Sequence, residues 1–269
     1  NDPEATGADI DTIRRKAIGL MARLPTIVAA DRRRRHGLDF IPPREDLTFA
    51  ENFFHMYFGE VPDAEVVKAF DVSLILYAEH SFNASTFTAR VITSTLSDYY
   101  SAITGAIGAL KGPLHGGANE EVMRMLKPFR SPEEARRWVE EALARKQKIM
   151  GFGHRVYRYG DSRVPIMERY TRRLAERLGF QNLMAIYDAI QEVVVQQKGI
   201  YPNLDYPTGP AYYMMGFDIE TYTPIFVMSR ITGWSAHVME QLADNRIIRP
   251  LSRYVGPSER PVPPLEARG

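Results

Sequence analysis

Apolar residues recur at steps of three and four along almost the whole chain, and runs alternating residue by residue are scarce. That spacing places apolar side chains on one face of a helix and is incompatible with a half-buried strand. Ile10, Ile13, Ala17, Leu20, Met21, Leu24 and Val28 form one such face. Pro25 within it lacks an N–H and is expected to kink or split the helix. Ser131-Pro132-Glu133-Glu134 reads as a helix start, with Ser131 as N-cap, Pro132 in the first position and Glu134 closing a capping box. Thr223-Pro224 reads as a second start, feeding a helix through about Ala243 on which Phe226, Arg230, Trp234 and His237 share a spacing. Leu178-Gly179 and Lys198-Gly199 have the form of helix C-caps. The expectation is an all-α protein.

Composition narrows the chemistry. The chain has 269 residues and no cysteine, which excludes disulfides, thiolate metal sites, Fe–S clusters and a cysteine nucleophile. Its 34 basic and 33 acidic residues leave a formal net charge of +1; a dedicated nucleic-acid binder would be strongly basic. No apolar run reaches the roughly 18–20 residues of a membrane span, and the first residues lack the stretches of a signal peptide. The expectation is a cytoplasmic protein with no nucleic-acid or membrane partner. Breaks rich in Pro and Gly at 111–117, 150–153, 201–210 and 248–256 fall between helices, and the C-terminal Pro-rich stretch reads as an extended tail lying on the surface or on a partner. The Arg32–Arg35 run reads as a solvated helix end. No G-x-S-x-G, G-x-x-x-x-G-K-[ST] or H-E-x-x-H occurs, and Gly151-Phe-Gly153 fails the dinucleotide fingerprint at its third glycine. The six histidines are scattered singly, which argues against a metal site.

What remains is histidine and arginine set among glycines. His115 lies in Gly-Pro-Leu-His115-Gly-Gly-Ala-Asn-Glu and His154 in Gly-Phe-Gly-His154-Arg-Val-Tyr. Such glycines admit close approach of a ligand and leave the imidazole uncrowded. His80 follows an apolar helix in Tyr-Ala-Glu-His80-Ser-Phe-Asn. A lone histidine of this kind is equally a structural hydrogen-bonding group; two in separate glycine-flanked turns point toward a site. His36, His55 and His237 have no such setting and are read as structural. Asp205, in a loop rich in turn formers and aromatic rings, is either a turn residue or, if partly desolvated, a general base. Arg163, Arg230 and Arg249 lie near breaks or on apolar helix, and Arg230 within Ile225–Trp234 calls for an anionic partner, which guanidinium binds in bidentate fashion.

Taken in order, Gly-Pro-Leu-His-Gly-Gly-Ala-Asn-Glu, Gly-Phe-Gly-His-Arg-Val-Tyr, Pro-Asn-Leu-Asp-Tyr, Arg-Ile-Thr-Gly-Trp-Ser-Ala-His and Ile-Ile-Arg-Pro closely resemble the citrate synthase family. The resemblance runs from Leu24 to Gly256. It implies an all-α fold in which a smaller helical domain closes over a larger one, here 1–114 and 223–269 for the large domain and 115–222 for the small. It implies a homodimer or higher homo-oligomer, and condensation of acetyl-CoA, or propionyl-CoA, with oxaloacetate followed by thioester hydrolysis. No metal and no tightly bound cofactor take part.

By the same resemblance Asp205 removes the proton beside the thioester carbonyl, His115 donates to that carbonyl, and His154 binds and polarises the oxaloacetate ketone. His80, Arg163 and Arg230 hold oxaloacetate, Arg249 reaches the neighbouring subunit's site, and Arg158 meets CoA phosphate. The resemblance also implies that a helical portion of the family precedes Asn1. Departures occur at Asn-Leu-Asp205-Tyr-Pro-Thr-Gly, in place of the commoner Asn-Val-Asp-Phe-Tyr-Ser-Gly, and at Gly160-Asp-Ser-Arg163, in place of Asp-Pro-Arg. The first is closer to the 2-methylcitrate synthases of the family, and Pro207 in place of a tyrosine would leave room beside the enolising carbon. A catalytically silent scaffold with this fold is the competing reading, disfavoured by the retention of the histidines, Asp205 and the arginines together. A serine hydrolase lacks its nucleophile motif.

Overall fold

The computed structural model describes residues 2–153, 157 and 159–268. Eleven α-helices are found there, and 63% of the described residues are helical. No strand occurs among the described residues, only an isolated bridge between Phe152 and Pro202. The all-α expectation is borne out.

The first helix, α1 (Ile10–Arg35), begins where the Asp9 carboxylate accepts from Thr12 N–H at 2.9 Å. Pro25 lies inside it and is buried, and the helix is not split. The single hydrogen bond that proline removes is offset by packing of this long helix against α2 (Phe49–Phe58) and α11 (Tyr222–Ala243). The second helix starts with a complete capping box between Thr48 and Glu51. Its Phe53 and Phe54 meet Phe70 of α3 (Ala64–Tyr77), and Phe53, Phe54, Tyr57 and Phe70 meet Phe217, ring centroids 5.1–5.7 Å apart. Phe53, Phe54 and Phe70 are wholly buried, so this cluster anchors α3 by apolar burial and ring geometry.

The sequence neighbours α4 (Ala84–Ser94) and α5 (Tyr99–Leu110) pack closely, and α11 packs against both as well as against α3. Further along come α6 (Ala118–Leu126), α7 (Pro132–Ala144), α8 (Val164–Leu178), α9 (Gln181–Lys198) and α10 (Asp205–Met214). Of these α7 pairs with α9, α10 with both α6 and α8, and α8 with α3. Ser131 caps α7 as expected, accepting from Glu134 N–H at 3.3 Å. The capping box does not close, because Glu134 reaches one residue further back to the Arg130 N–H at 2.9 Å. Gly179 and Gly199 end their helices in the left-handed conformation, φ +81° and +62°.

Two local expectations are corrected. Arg32 and Arg33 are not solvated. Arg32 pairs with Asp218 at 3.3 Å and lies over the Tyr57 ring, while Arg33 is buried and donates to the Asp39 and Tyr57 carbonyls. These carbonyls and rings supply local partners that a charge run does not reveal; Arg34 and Arg35 alone face solvent and pair with Asp31. The helix expected from Thr223 begins at Tyr222, after a 3-10 turn over Ile219–Thr221.

Candidate active site

The C-terminal end of α3 organises the cleft. A helix leaves its last carbonyls without partners inside the helix, and here the surrounding chain supplies them. Ser229 Oγ donates to Leu74 O, Arg163 Nη1 to Leu76 O at 3.2 Å, Arg230 Nε to Tyr77 O at 2.7 Å and the Gly233 N–H to Ala78 O at 3.0 Å. Beside it the Thr232 hydroxyl donates to the Ser229 carbonyl at 2.8 Å and lies 3.2 Å from Ala78 O. A Cβ at Gly233 would run into Ala78 O, so only glycine lets α11 touch the loop that carries His80. The negative end of the α3 dipole faces two guanidinium groups, an arrangement that stabilises buried positive charge.

Arg230 is 1% exposed, and its Nη1 is buried with no partner among the described residues. Burial, and the nearby Arg163, bring its pKa down to about 10. Its guanidinium carbon lies 4.8 Å over the Phe226 ring. Arg163 differs. Burial alone would pull its pKa down, but the carboxylate of buried Asp161 grips it through Nε at 3.0 Å and Nη2 at 2.7 Å and raises it. Burial tends to raise the Asp161 carboxyl, and the Arg163 contacts outweigh it and hold the group below its ordinary value. Asp161 was not singled out in the sequence, although its two-residue spacing from Arg163 was the available signal.

Asp205 is not in a loop but opens α10. Its N–H donates to Asn203 Oδ1 at 3.1 Å, and its Oδ1 accepts from the Tyr77 hydroxyl at 2.6 Å. Burial pushes the carboxyl up from 3.8 to about 6, against the opposing pull of Tyr77, Arg163 and Arg230. A carboxylate so placed is ionised at neutral pH and more basic than a surface aspartate. Tyr77 was missed by sequence reasoning; a tyrosine in the last turn of an apolar helix carries no signal of its own.

His115 sits in the turn between α5 and α6. Burial, with Arg230 and His80 nearby, takes its pKa down to about 4, so the ring is neutral. Nε2 accepts the Ser85 N–H at 3.3 Å, and a backbone amide can only donate, so Nδ1 bears the proton. The Ser85 hydroxyl lies 2.8 Å from both that Nε2 and Asn83 Oδ1, and it accepts from Trp234 Nε1 at 3.0 Å. Ser85 is thus a second residue the sequence did not flag. The glycine after His115 serves packing first, since a Cβ at Gly116 would lie 2.6 Å from the Leu110 carbonyl. His80 approaches the Tyr157 hydroxyl, Nε2 to Oη 2.9 Å.

Phe226 joins these groups. Its ring centroid lies 4.1 Å from that of Tyr77 and 6.3 Å from that of His115, with Arg230 over its face. The fold therefore gathers His80 from the turn after α3, His115 from the turn before α6, Arg163 from the N-cap of α8, Asp205 from α10 and Arg230 from α11. Arg249 stands apart, exposed at the root of the C-terminal tail. His154 and Arg158 lie outside the described residues. Two broad surface grooves run along α8, beside Tyr170, Arg173 and Glu176 and beside Arg169 and Arg172, and hold none of these groups.

Fold and site together define an all-helical protein whose cleft sets a neutral imidazole and a buried guanidinium around one aromatic ring, with a basic carboxylate on the neighbouring Tyr77 hydroxyl. Residues 1–251 match the family model described as citrate synthase, C-terminal domain, and the chain belongs to the citrate synthase family. It is 59% identical over 262 residues to a 2-methylcitrate synthase of Mycobacterium tuberculosis, covering 97% of this chain and 66% of that protein. It is 56% identical over 255 residues to a citrate synthase of Mycolicibacterium smegmatis, covering 94% and 68%. The citrate synthase structure from Thermotoga maritima superposes with a TM-score of 0.87 at 42% identity, covering 96% of this chain and 72% of that one. The ternary complex of the Thermoplasma acidophilum citrate synthase with carboxymethyl coenzyme A and oxaloacetate gives 0.89 at 36% identity, covering 97% and 71%. The chain spans about two thirds of the length of these relatives.

Proposed function

We propose that the chain carries the condensing site of an acyl-CoA:oxaloacetate acyltransferase, forming citrate from acetyl-CoA or 2-methylcitrate from propionyl-CoA. The observation that carries this reading is the pairing of Asp205, raised to about 6, with a neutral His115 whose Nδ1 bears a proton. A thioester α-proton is very weakly acidic, and a carboxylate removes it only if the developing enolate oxygen meets a donor. Asp205 takes the proton and the His115 N–H donates to the thioester oxygen. The nucleophilic carbon then attacks the oxaloacetate ketone, and water cleaves the thioester to release CoA.

Arg230 offers its unpartnered Nη1 to an oxaloacetate carboxylate, with Arg163 and His80 as further contacts. Arg163 exchanges part of its contact with Asp161 for substrate. By family resemblance His154 polarises the ketone and Arg158 meets CoA phosphate. Segment 115–222 acts as the small domain closing over 1–114 and 223–269, excluding water while these charges act. The working protein is a cytoplasmic homodimer or larger homo-oligomer. Arg249 and the tail beyond it, with Leu251, Tyr254, Val255, Val262 and Leu265 exposed, suit contact with a second copy, where Arg249 enters the partner's site.

Thiol release from each acyl-CoA in the presence of oxaloacetate tests the reading. Turnover with either donor is expected, and kcat/KM ranks them, since one methylene in an apolar pocket is worth only about 1–3 kcal/mol. Both donors are expected to react; an active protein that leaves propionyl-CoA untouched refutes a roomier pocket at Pro207. No turnover with either donor refutes the assignment and restores the silent scaffold.

A further inference from the structure

The turn that carries His115 is tied to α11 by one carboxylate. Glu120, five residues after His115 and in the first turn of α6, accepts from both the N–H of Thr223 at 3.3 Å and the Thr223 hydroxyl. That hydroxyl also lies 3.4 Å from Gly116 O, the carbonyl next to His115. Thr223 is in the first turn of α11, which has no side-chain cap of its own. Glu120 therefore caps α11 from another helix, placing negative charge at its positive end. Beside it Arg124 pairs with Glu120 at 3.2 Å and with Glu220, just before α11, at 3.6 Å.

Thr223, Phe226 and Arg230 fall at i, i+3 and i+7, so they form one stripe along α11. Glu120 holds the top of that stripe, Phe226 meets the His115 ring and Arg230 closes the lower end. Residues 115 and 222 are also the two points at which the chain passes between the proposed domains. Glu120 and Thr223 thus fasten the incoming crossing to the outgoing one.

We propose that Glu120 is a positioning residue for the condensation, its clasp on Thr223 fixing the His115 turn against the α11 stripe so that enolate stabilisation and oxaloacetate binding stay in register as the domains close. This rests on the reaction proposed above. Displacing a polarising donor by even about 1 Å costs on the order of a hundredfold in rate. The Arg230 half of the site, anchored on α3, does not depend on the clasp.

The test uses the intact protein and the variants Glu120→Ala, Glu120→Gln, Thr223→Val and Thr223→Ser. Glu120→Ala and Thr223→Val are expected to lower kcat by about ten- to a hundredfold with KM for oxaloacetate nearly unchanged. Glu120→Gln and Thr223→Ser, which keep an acceptor and a hydroxyl, are expected to restore most of it. The double variant Glu120→Ala/Thr223→Val should be no slower than the worse single one, because both break the same contact. NMR titration of the His115 ring is a second readout that needs no turnover. In Glu120→Ala its midpoint should rise from about 4 toward the ordinary 6.5 as the turn loosens. If wild type turns over and neither kcat nor the ring titration moves, or if the losses add in the double variant, the clasp is refuted. If wild type has no activity while the titration moves, the clasp stands and the assigned reaction falls.

Discussion

Replacing Asp205 by asparagine should stabilise the protein at neutral pH while abolishing turnover. Moving a carboxyl midpoint from 3.8 in the unfolded chain to about 6 in the folded one costs the folded state about 3 kcal/mol once the group is ionised. The sign follows from proton uptake. Between these two values the folded protein binds more protons than the unfolded chain, so stability falls as pH rises through the window and the full cost applies above about 6. Asparagine never ionises and keeps an Oδ1 for the Tyr77 hydroxyl. Asp205 retains some solvent access, which reduces the expected gain to about 1–3 kcal/mol. For 269 residues that corresponds to a rise of about 2–5 °C in Tm. Thermal melts of wild type and Asp205→Asn from pH 4 to 8 provide the assay, with the other titrations common to both. The curves should coincide near pH 4, separate between about pH 4 and 6, and run parallel above that. A variant that melts below wild type at pH 7.5, or a gap independent of pH, would refute the account of a carboxylate held at the expense of stability.

Tyr77→Phe removes a donor that favours the ionised form of Asp205, so the acid limb of kcat/KM should move above 6, by about 1–2 pH units for a hydrogen bond to a charged group; an unmoved limb contradicts Asp205 as the base. Arg230→Ala should leave a helical protein whose oxaloacetate affinity, by calorimetry, is weaker by about 2–4 kcal/mol, and unchanged affinity would remove Arg230 from the substrate site. Arg249→Ala and Asp205→Asn, each inactive alone, should regain about a quarter of wild-type activity when subunits are mixed, since half the dimers then carry one intact site of two. Exchange without any recovery would show that Arg249 does not serve its neighbour.

Much of the helical fold was written in the chain's periodicity, because helical spacing of apolar residues and the Ser131, Gly179 and Gly199 caps act locally. Pro25 does not split α1, because a proline's cost is local while the packing that offsets it comes from α2 and α11, remote in sequence. Arg32 and Arg33 misled for the same reason, as carbonyls and rings brought in by folding desolvated a charge run. Within the site, His80, His115, Asp205, Arg163 and Arg230 were recognisable by residue type and motif, and their common location followed from the family pattern. Tyr77, Ser85, Phe226 and Asp161 were not recognisable as site residues. Their importance lies in what they face across the cleft, such as Tyr77 on Asp205 or Ser85 on His115, and no spacing along the chain encodes that. Asp205 itself moved from loop to first helical turn, a change its turn-forming neighbours concealed.

The anchoring of Arg163 and Arg230 on α3 has a consequence for how such a chain tolerates change. Both guanidinium groups, the Ser229 hydroxyl and the Gly233 amide grip backbone oxygens at Leu74, Leu76, Tyr77 and Ala78, and backbone oxygens are the same whatever side chain is present. Outward positions of α3, such as Ile75 with 63% of its surface exposed, are free to drift in sequence without loosening either arginine. Length is another matter. Adding or deleting one residue in α3 would swing every terminal oxygen about 100° around the helix axis and shift it about 1.5 Å along it. All four attachments would be lost together. This helix is therefore insensitive to spelling and intolerant of a frameshift in register: it behaves as a ruler whose count of residues, more than their identity, is what inheritance has to preserve.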